Sequence, residues 1–305
     1  MLRGKDLVSI RDLEKADIEL VLKRAAEMES ALAQGKPLST MHGRIAATMF
    51  FEPSTRTRLS FQTAVKRLGG QVINMSAVAA TSIAKGEAIA DTLRMVDGYA
   101  DLIIIRHNTE GMARYAAEVC EHPVINAGDG GNQHPTQTLL DLYAIRKMKG
   151  KIEGLNVVLV GDLKYARTMR SLLYGLAMFD ARVTLIAPEG LEMNPKIVQE
   201  VERRFGAKIK HRKALDLSDA DVAYICRIQK ERFADPYEAE KVQKKFRITM
   251  DALKDVKADL VILHPLPKID EMDPDIDRTK YARYFEQAQL GVPVRMAIIS
   301  EILGV

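Results

Sequence analysis

The chain has 305 residues, a length that suggests about two domains. Hydrophobic residues make up 47% and charged residues 28%, which is typical of an ordinary globular protein. The net charge of +4 is small for this length, Trp is absent and aromatic residues are only 6%, so a nucleic-acid binder is poorly supported.

The two cysteines, Cys120 and Cys226, are far apart and lack metal-ligand spacing. A disulfide framework and a structural zinc site are therefore not expected. The first residues carry charges without an apolar core behind them, so no signal peptide is predicted, and no apolar run approaches membrane-spanning length. We expect a cytoplasmic protein that uses no metal and no cofactor.

The first half of the chain alternates short apolar strands with helices. Strands are predicted at residues 45–51, 71–75, 101–106 and 124–126. Helices are predicted around them wherever apolar residues recur at three- and four-residue spacing, beginning with Ile18, Val21, Leu22, Ala25, Met28 and Leu32. This alternation predicts a parallel sheet covered on both faces by helices.

Hydroxyl and guanidinium groups are concentrated at the turn after the strand 45–51. The run Ser54-Thr55-Arg56-Thr57-Arg58 begins a helix, with Ser54 as the expected N-cap. A helix N-terminus presents backbone N–H groups and a partial positive charge, and Arg56 adds a planar fork that fits a phosphate or a carboxylate. The segment fits either a phosphate-binding turn or an ordinary capped helix with solvated arginines.

Two further segments of the first half carry groups that suit anions. Arg106 stands where a strand ends, which is where open α/β sheets place their ligands, although a solvated arginine would also fit there. Residues 76–86 are small and neither clearly helical nor clearly extended. They form either a surface loop or a mobile loop that delivers Ser82 and Lys85 to an anion.

A glycine-rich segment, residues 127–133, leads to His134 at the start of a long predicted helix. Gln137 lies one helical turn later on the same face. The helix dipole lowers the pKa of a histidine in this position, so His134 should stay neutral and donate a hydrogen bond. His134 is interpreted either as a ligand-binding group or as a simple capping residue.

The strand and helix pattern starts again after Gly150. Strands are predicted at 155–162, 183–186, 221–226 and 260–263, and helices at 166–179 and 293–303. The turn after the first of these strands lacks the G-x-G-x-x-G spacing, so a dinucleotide site is only weakly supported. A nucleotide-binding regulator without catalysis is nevertheless a second interpretation of the α/β pattern.

Polar groups again follow the predicted strands of the second half. Arg167 begins the helix after the first strand, and Arg227 and Gln229 follow the third. The last strand runs into His264-Pro265-Leu266-Pro267, whose prolines exclude a helix. Two backbone carbonyls of this run could therefore accept a hydrogen bond from a ligand N–H group.

Seven segments, in this order, resemble the catalytic chains of the aspartate carbamoyltransferase family over essentially the whole length. They are S-T-R-T-R from Ser54, S-I-A-K-G from Ser82, R-H from Arg106, H-P-T-Q from His134, L-K-Y-A-R-T from Leu163, R-I-Q-K-E-R from Arg227 and H-P-L-P from His264. The resemblance implies an enzyme that transfers the carbamoyl group of carbamoyl phosphate to L-aspartate. The products would be N-carbamoyl-L-aspartate and phosphate, in pyrimidine biosynthesis.

The resemblance also implies roles for individual residues. The carbamoyl phosphate site would comprise Ser54, Thr55, Arg56, Thr57, Arg106, His134, Gln137, Pro265 and Leu266. Within it, the residues that act on the phosphate or the carbamoyl oxygen would be Arg56, Thr57, Arg106 and His134, and the carbamoyl nitrogen would be held by Gln137 and the carbonyls of Pro265 and Leu266. The aspartate site would comprise Lys85, Arg167, Arg227 and Gln229. The peptide bond between Leu266 and Pro267 would be cis.

Ser82 and Lys85 resemble residues that a neighbouring subunit contributes, which implies a homotrimer with active sites shared between subunits. Some family members carry a loop one residue longer with paired lysines, whereas this chain has a single lysine. Family members occur as bare trimers or with regulatory chains, and the sequence leaves both arrangements open.

Ornithine carbamoyltransferases are the alternative within the same superfamily. They share S-T-R-T-R but typically carry H-P-C-Q and H-C-L-P, together with an S-M-G motif that this chain lacks. Arg167 and Arg227 suit a dicarboxylate and would repel a cationic side chain. We therefore favour aspartate as the acceptor.

The expected fold class is α/β, with two similar-sized domains that are each a parallel sheet flanked by helices and that are linked by interdomain helices. The carbamoyl phosphate-binding domain is expected to comprise residues 1–133 and 288–305. The aspartate-binding domain is expected to comprise residues 134–287.

Overall fold

The computed structural model describes residues 2–75, 82–229 and 246–305. The strands are β1 (Ile45–Phe50), β2 (Gln71–Met75), β3 (Leu102–His107), β4 (Val124–Asp129), β5 (Asn156–Val160), β6 (Arg182–Ile186), β7 (Lys210–Arg212), β8 (Val222–Ile225) and β9 (Val261–Leu263). The α-helices are α1 (Lys15–Ala33), α2 (Thr55–Arg67), α3 (Ile89–Asp97), α4 (Met112–Val119), α5 (Pro135–Lys149), α6 (Arg167–Met178), α7 (Pro195–Phe205), α8 (Tyr284–Gln289) and α9 (Gly291–Leu303).

The first four strands form one parallel sheet in the order β2-β1-β3-β4. Strands β1, β3 and β4 are almost wholly buried, and β1 and β3 are mainly apolar, as expected for parallel strands that are covered on both faces. Strand β2 lies at the edge and is largely exposed. The predicted strands of the first half are confirmed.

The order of the first sheet contains a change of direction. From β1 the chain moves outward to β2, and then returns to the other side of β1 to form β3. In an open parallel sheet, the crevice at the carboxyl ends of two strands that diverge in this way is the usual place for a ligand. The switch point of the first sheet therefore lies between β1 and β3.

The second parallel sheet has the order β7-β6-β5-β8-β9. Here the chain runs outward from β5 through β6 to β7, and then crosses to the other side of β5 to form β8 and β9. Its switch point therefore lies between β5 and β8. The apolar core on one face includes Val158, Val160, Ala223, Ile225 and Ile262.

Contacts divide the chain into two compact units, Met1–Tyr143 with Leu290–Val305 and Ala144–Gln289. The chain passes from one unit to the other inside α5, and back between α8 and α9. Each unit contains one parallel sheet flanked by helices, so the predicted fold class is confirmed. The boundaries of the ligand-binding domains at 133/134 and 287/288 stay a prediction.

The last helix, α9, is mostly apolar and is buried over most of its length. It packs against α1 and α2 within the first unit. These contacts place the C-terminal segment in the unit that holds the N-terminus.

Some predicted features lie outside the described residues. These are residues 76–81 of the small-residue loop and residues 230–232 at the end of the R-I-Q-K-E-R motif. Among the residues that are described, none of the helices has both the length and the apolar character needed to cross a membrane.

Candidate active site

The S-T-R-T-R turn joins the end of β1 to the start of α2. Ser54 occupies the N-cap position with an extended backbone, φ −159° and ψ 100°, as predicted, but its side chain makes no capping hydrogen bond within the described structure. The first turn of α2 contains no acidic residue. No carboxylate of this turn therefore neutralises the partial positive charge of its N–H groups, which suits an anion site.

Arg106 lies beside this turn because β1 and β3 are neighbours. In the register of the two strands, Arg106 pairs with Phe50, the last residue of β1. The residue is 9% exposed, with Nη2 donating to Oε1 of Glu52 over 2.6 Å and Nη1 donating to the carbonyl of Ala127 over 3.2 Å. Arg106 is thus a buried cation fixed across the ends of three strands.

His134 is placed by a loop that folds around the carboxylate of Asp129. That carboxylate accepts from the backbone N–H groups of Gly111 and Gln133 and from the side-chain amides of Asn126 and Asn132. His134 follows directly and is buried. Its carbonyl accepts the first N–H groups of α5, so it occupies the predicted position at the start of the helix.

Gln137 is buried in the first turn of α5, and its Nε2 donates to Oδ1 of Asp141 over 2.8 Å. The sequence pattern indicated Gln137 as a site residue but not Asp141. The spacing of four residues on one helix could have suggested the pair.

The first unit therefore gathers its predicted phosphate-site segments at one edge. They follow β1, stand at the end of β3 and follow β4, which are three adjacent parallel strands. The S-T-R-T-R turn and Arg106 lie at the switch point itself. Lys85 is exposed in the short 3-10 helix Ser82–Lys85 of the same unit, and for Ser82 only the backbone is described.

In the second unit, β5 ends at a turn that only glycine can occupy. Gly161 has φ +121°, and a Cβ there would stand 2.2 Å from the carbonyl oxygen of Cys226. The next residue, Asp162, accepts from the backbone N–H groups of Lys164 and Tyr165. This turn leads to Arg167, the first residue of α6.

Arg227 and Gln229 follow β8, the strand beside β5, and both are partly buried. The Cys226 N–H group donates to the carbonyl of Val160 over 2.9 Å, which ties the end of β8 to the end of β5. Arg167 and Arg227 consequently follow the two strands that flank the switch point of the second sheet.

The H-P-L-P run follows β9 and is held by its own histidine. The N–H group of Leu266 donates to Nδ1 of His264 over 2.8 Å, so the proton of the neutral ring is on Nε2, which lies 2.8 Å from Oε1 of Glu271. The His264 N–H group donates to Oε1 of Gln287. Leu266 has a left-handed φ of +56°, and the Leu266–Pro267 bond is cis, as predicted.

Glu271 anchors this arrangement from the buried side. Burial alone would raise the pKa of its carboxyl group, but the contact with His264 and backbone N–H groups, including that of Ile269, hold the pKa below its ordinary value. Glu271 therefore faces the Nε2–H of His264 as a carboxylate.

The second unit thus places Arg167, Arg227 with Gln229, and the carbonyls of Pro265 and Leu266 after three adjacent strands, β5, β8 and β9. Sequence reasoning missed the residues that hold these groups and those of the first unit, namely Glu52, Asp129, Asp141, Asp162 and Glu271. Within the described part of the chain, no group of three or more His, Cys, Asp or Glu side chains is placed to hold a metal ion.

Two family models match the chain along nearly its whole length. Residues 5–147 match the carbamoyl phosphate-binding domain of aspartate/ornithine carbamoyltransferases, and residues 153–302 match their aspartate/ornithine-binding domain. The chain belongs to the aspartate/ornithine carbamoyltransferase family. The family predicted from the sequence motifs is therefore confirmed, and with it the class of enzyme, a carbamoyltransferase.

Curated members of the family are similar to the chain over its full length. The aspartate carbamoyltransferase catalytic subunit of Archaeoglobus fulgidus is 53% identical over 98% of this chain and 99% of its own length. The corresponding subunit of Thermococcus kodakarensis is 52% identical over 99% of this chain and 98% of its own length.

Solved structures of the family have the same fold. The catalytic subunit of the M. jannaschii aspartate transcarbamoylase is 46% identical, with a TM-score of 0.92 over 98% of both chains. The Trypanosoma cruzi aspartate transcarbamoylase, solved with N-(phosphonacetyl)-L-aspartic acid, is 37% identical, with a TM-score of 0.94 over 99% of this chain and 97% of that one.

Proposed function

We propose that the chain transfers the carbamoyl group of carbamoyl phosphate to L-aspartate. The amine nitrogen attacks the carbamoyl carbon, the bond from that carbon to the phosphate oxygen breaks, and phosphate leaves as N-carbamoyl-L-aspartate forms. The observation that carries the proposal is the position of the candidate residues. In each sheet they follow adjacent parallel strands at their carboxyl ends, on both sides of the switch point.

The phosphate of the first substrate is assigned to the S-T-R-T-R turn and Arg106. Backbone N–H groups of the α2 N-terminus, the hydroxyls of Ser54, Thr55 and Thr57 and the guanidinium of Arg56 would donate to its oxygens. Arg106 is fixed across the strand ends and would add a second guanidinium. The same donors stabilise the charge that grows on the departing phosphate.

We assign hydrogen-bond donors to the oxygen of the carbamoyl group and hydrogen-bond acceptors to its NH2 group. His134, Thr57 and Arg106 would donate to its oxygen, where negative charge develops, and one such donor contributes about 3–4 kcal/mol. Gln137 Oε1 and the carbonyls of Pro265 and Leu266 would accept from its N–H groups. His264 supports these carbonyls because it holds the Leu266 N–H group.

Aspartate is assigned to the second unit, with Arg167, Arg227 and Gln229 on its two carboxylates. A fork of N–H donors fits each carboxylate bidentately. Holding two substrates in reacting geometry can contribute about 7–11 kcal/mol without any covalent intermediate. No side chain is assigned as the base, and the departing phosphate is proposed to take the amine proton.

A homotrimer with shared active sites is part of the proposal. Lys85 and Ser82 would reach the site of a neighbouring copy. Large apolar side chains of the first unit are exposed, among them Leu59 on α2, Ile73 on β2, Met95 on α3 and Tyr99 just after α3. Exposed large apolar side chains of this kind favour burial against a second copy of the chain.

The wider setting is proposed in the same way. Because the similar proteins are named catalytic subunits, assembly with regulatory chains is open to this chain as well. The reaction would belong to pyrimidine biosynthesis and take place in the cytoplasm, without nucleic-acid or membrane partners.

The activity is tested with the purified chain, carbamoyl phosphate and either L-aspartate or L-ornithine. We expect N-carbamoyl-L-aspartate to form, with ornithine used orders of magnitude more slowly, because the two arginines assigned to the acceptor would repel a cationic side chain. Citrulline as the main product would assign the chain to the ornithine branch. Absence of both products would contradict the proposed activity.

A further inference from the structure

The amide of Gln137 is held by a fully buried carboxylate. Its Nε2 donates to Oδ1 of Asp141 over 2.8 Å, and the two residues share one face of α5 because they are four positions apart. Asp141 is 0% exposed and Gln137 is 8% exposed. Solvent therefore offers little competition for this hydrogen bond.

The hydrogen bond fixes the direction of the amide. An ionised carboxylate only accepts hydrogen bonds, so the NH2 group of Gln137 must face Asp141. The carbonyl oxygen Oε1 lies at the other end of the same planar group, and it can only accept. Gln137 therefore presents a ligand with an acceptor and not with a donor.

The charge of a buried cation, Arg295, favours the ionised form of Asp141. Burial lowers the pKa of Arg295 to about 10, with attraction to Asp141 raising it and repulsion from Arg106 lowering it. Arg295 is still a cation at neutral pH. Because the attraction is mutual, it equally favours the carboxylate form of Asp141.

Arg295 is itself held firmly in this place. Its guanidinium lies 5.0 Å from the centre of the Phe61 ring, within the range of a cation–π contact. One of its terminal nitrogens fills the space beside Gly291, where a Cβ would stand only 2.3 Å away. Gly291 thus leaves room for the guanidinium of Arg295.

We propose that Asp141 is a specificity-determining positioning residue, which selects phosphates whose acyl carbon carries an N–H group over those that carry a methyl group there. This inference rests on the proposed function, because it takes Gln137 as the residue that faces the carbamoyl nitrogen. A methyl group would leave Oε1 buried without a donor. If the amide could rotate, it could present its NH2 group instead of Oε1. The site would then no longer select ligands that carry an N–H group in this position.

Two stable phosphonates test the selection directly. Phosphonoacetamide and acetonylphosphonate have the same shape and charge and differ only in an NH2 group against a methyl group. One buried acceptor left without a donor corresponds to about tenfold or more in affinity, so the wild-type chain should prefer phosphonoacetamide by at least that factor. The ratio of the two dissociation constants, measured by titration calorimetry, is the readout.

The decisive variant is Asp141→Asn, because an asparagine side chain can accept or donate and no longer fixes the Gln137 amide. We expect the preference for phosphonoacetamide to fall to about threefold or less, because either end of the Gln137 amide can then face the ligand. The affinity for inorganic phosphate, which has no acyl group, should stay the same. Asp97→Asn is the matched control, since buried Asp97 accepts from the N–H groups of Glu121 and His122, and its ratio should equal that of the wild type.

Several results would overturn the inference. A wild-type chain that binds both phosphonates equally would show that no selection exists. An Asp141→Asn variant that keeps the wild-type ratio, or that loses both phosphonates and phosphate in parallel, would reduce Asp141 to a structural role. If the wild-type chain produces no carbamoyl aspartate but the ratio still depends on Asp141, the proposed function fails and the selection stands.

Asp141→Asn leaves Arg295 without its counter-charge and could prevent folding. The double variant Asp141→Asn with Arg295→Met removes both charges at similar volume and should show the same loss of preference.

In the wild-type chain, the side-chain NH2 resonances of Gln137, identified by their loss in Gln137→Met, should be protected from exchange without ligand. Fast exchange of these protons would contradict the fixed orientation.

Discussion

Arg106 reaches the edge of the first sheet already paired with a carboxylate. Glu52 receives one terminal nitrogen of its guanidinium, and the carbonyl of Ala127 receives the other. A phosphate that binds here must share the guanidinium with Glu52 or displace it. At the scale of single residues, the site is therefore a set of cations and dipoles held in place by acidic neighbours.

Those acidic neighbours are what the sequence could not predict. The pattern around Ser54, Arg106 and His134 indicates anion binding because of the residue types and their place after strands. Glu52, Asp129 and Glu271 have no such pattern, since their partners are set by the tertiary fold. Asp141 is the exception, because its spacing from Gln137 on one helix is visible in the sequence.

The two arginines of the S-T-R-T-R turn provide a matched pair for mutation. We expect Arg56→Ala to lower kcat by about 100-fold or more, because it removes a charged donor from the phosphate that leaves in the transition state. Arg58→Ala, two residues further along α2 and on another side of the helix, should have much less effect. Steady-state kinetics at saturating aspartate distinguish the two, and equal losses in both variants would argue against the assignment.

At the scale of elements, both sheets place the turns that carry candidate site residues at the carboxyl ends of adjacent parallel strands. Most strands and helices could be predicted, because buried parallel strands are mainly apolar in sequence. Between Ile186 and Asp221 no element was predicted, yet α7 and β7 lie there. Asn194, Pro195 and Gly206, which begin and end α7, are a capping pattern that could have revealed the helix. Strand β7 is three residues long and mostly exposed, so it has no apolar pattern to detect.

The turn after β5 depends on Gly161. Gly161→Ala should lower the stability by more than about 3 kcal/mol, because the left-handed conformation alone costs about 1–3 kcal/mol and the added Cβ would meet the Cys226 carbonyl. Gly154→Ala is the control, since Gly154 also has a positive φ, +71°, but no described atom lies within 4 Å of where its Cβ would stand. It should lose only about 1–2 kcal/mol. Denaturant unfolding measures both, and equal losses would contradict the close contact at Gly161.

The turn after β9 depends on the charge of Glu271. Because its pKa is lowered in the folded state, its carboxylate adds stability above its unfolded pKa, and this contribution is lost as the pH falls through the folded value. Glu271→Gln should therefore cost about 1–3 kcal/mol at pH 7. The difference from the wild type should shrink below about pH 4.3. Thermal unfolding across this pH range measures it, and a difference independent of pH would exclude the electrostatic explanation.

At the scale of the whole molecule, the sequence predicts two units and the comparisons confirm the family and the fold. The boundaries between ligand-binding domains and the assembly of subunits stay predictions. Domain boundaries and subunit assembly are set by contacts between residues that are far apart in the sequence or in different copies of the chain. A local sequence pattern does not reveal such contacts. Exposed apolar side chains of the first unit, among them Leu59, Ile73, Met95 and Tyr99, are the support for the proposed assembly.

The proposal that active sites are shared between subunits can be tested with mixed trimers of two inactive variants. Arg56→Ala and Lys85→Ala chains should each be nearly inactive alone. After subunit exchange, hybrid trimers should regain activity, because one interface then combines an intact Arg56 with an intact Lys85. Activity is measured against the exchanged fraction, and no recovery after verified exchange would contradict a site built from two copies.

The central claim is that groups at the carboxyl edges of the two sheets bind one pair of anions. A crystal structure with N-(phosphonacetyl)-L-aspartate, which joins a phosphonate to an aspartate, tests it most directly. We predict the phosphonate on residues 54–57 and Arg106, and the two carboxylates on Arg167 and Arg227. A ligand bound away from these residues, or Arg56 and Arg227 opening onto separate surfaces, would contradict the account.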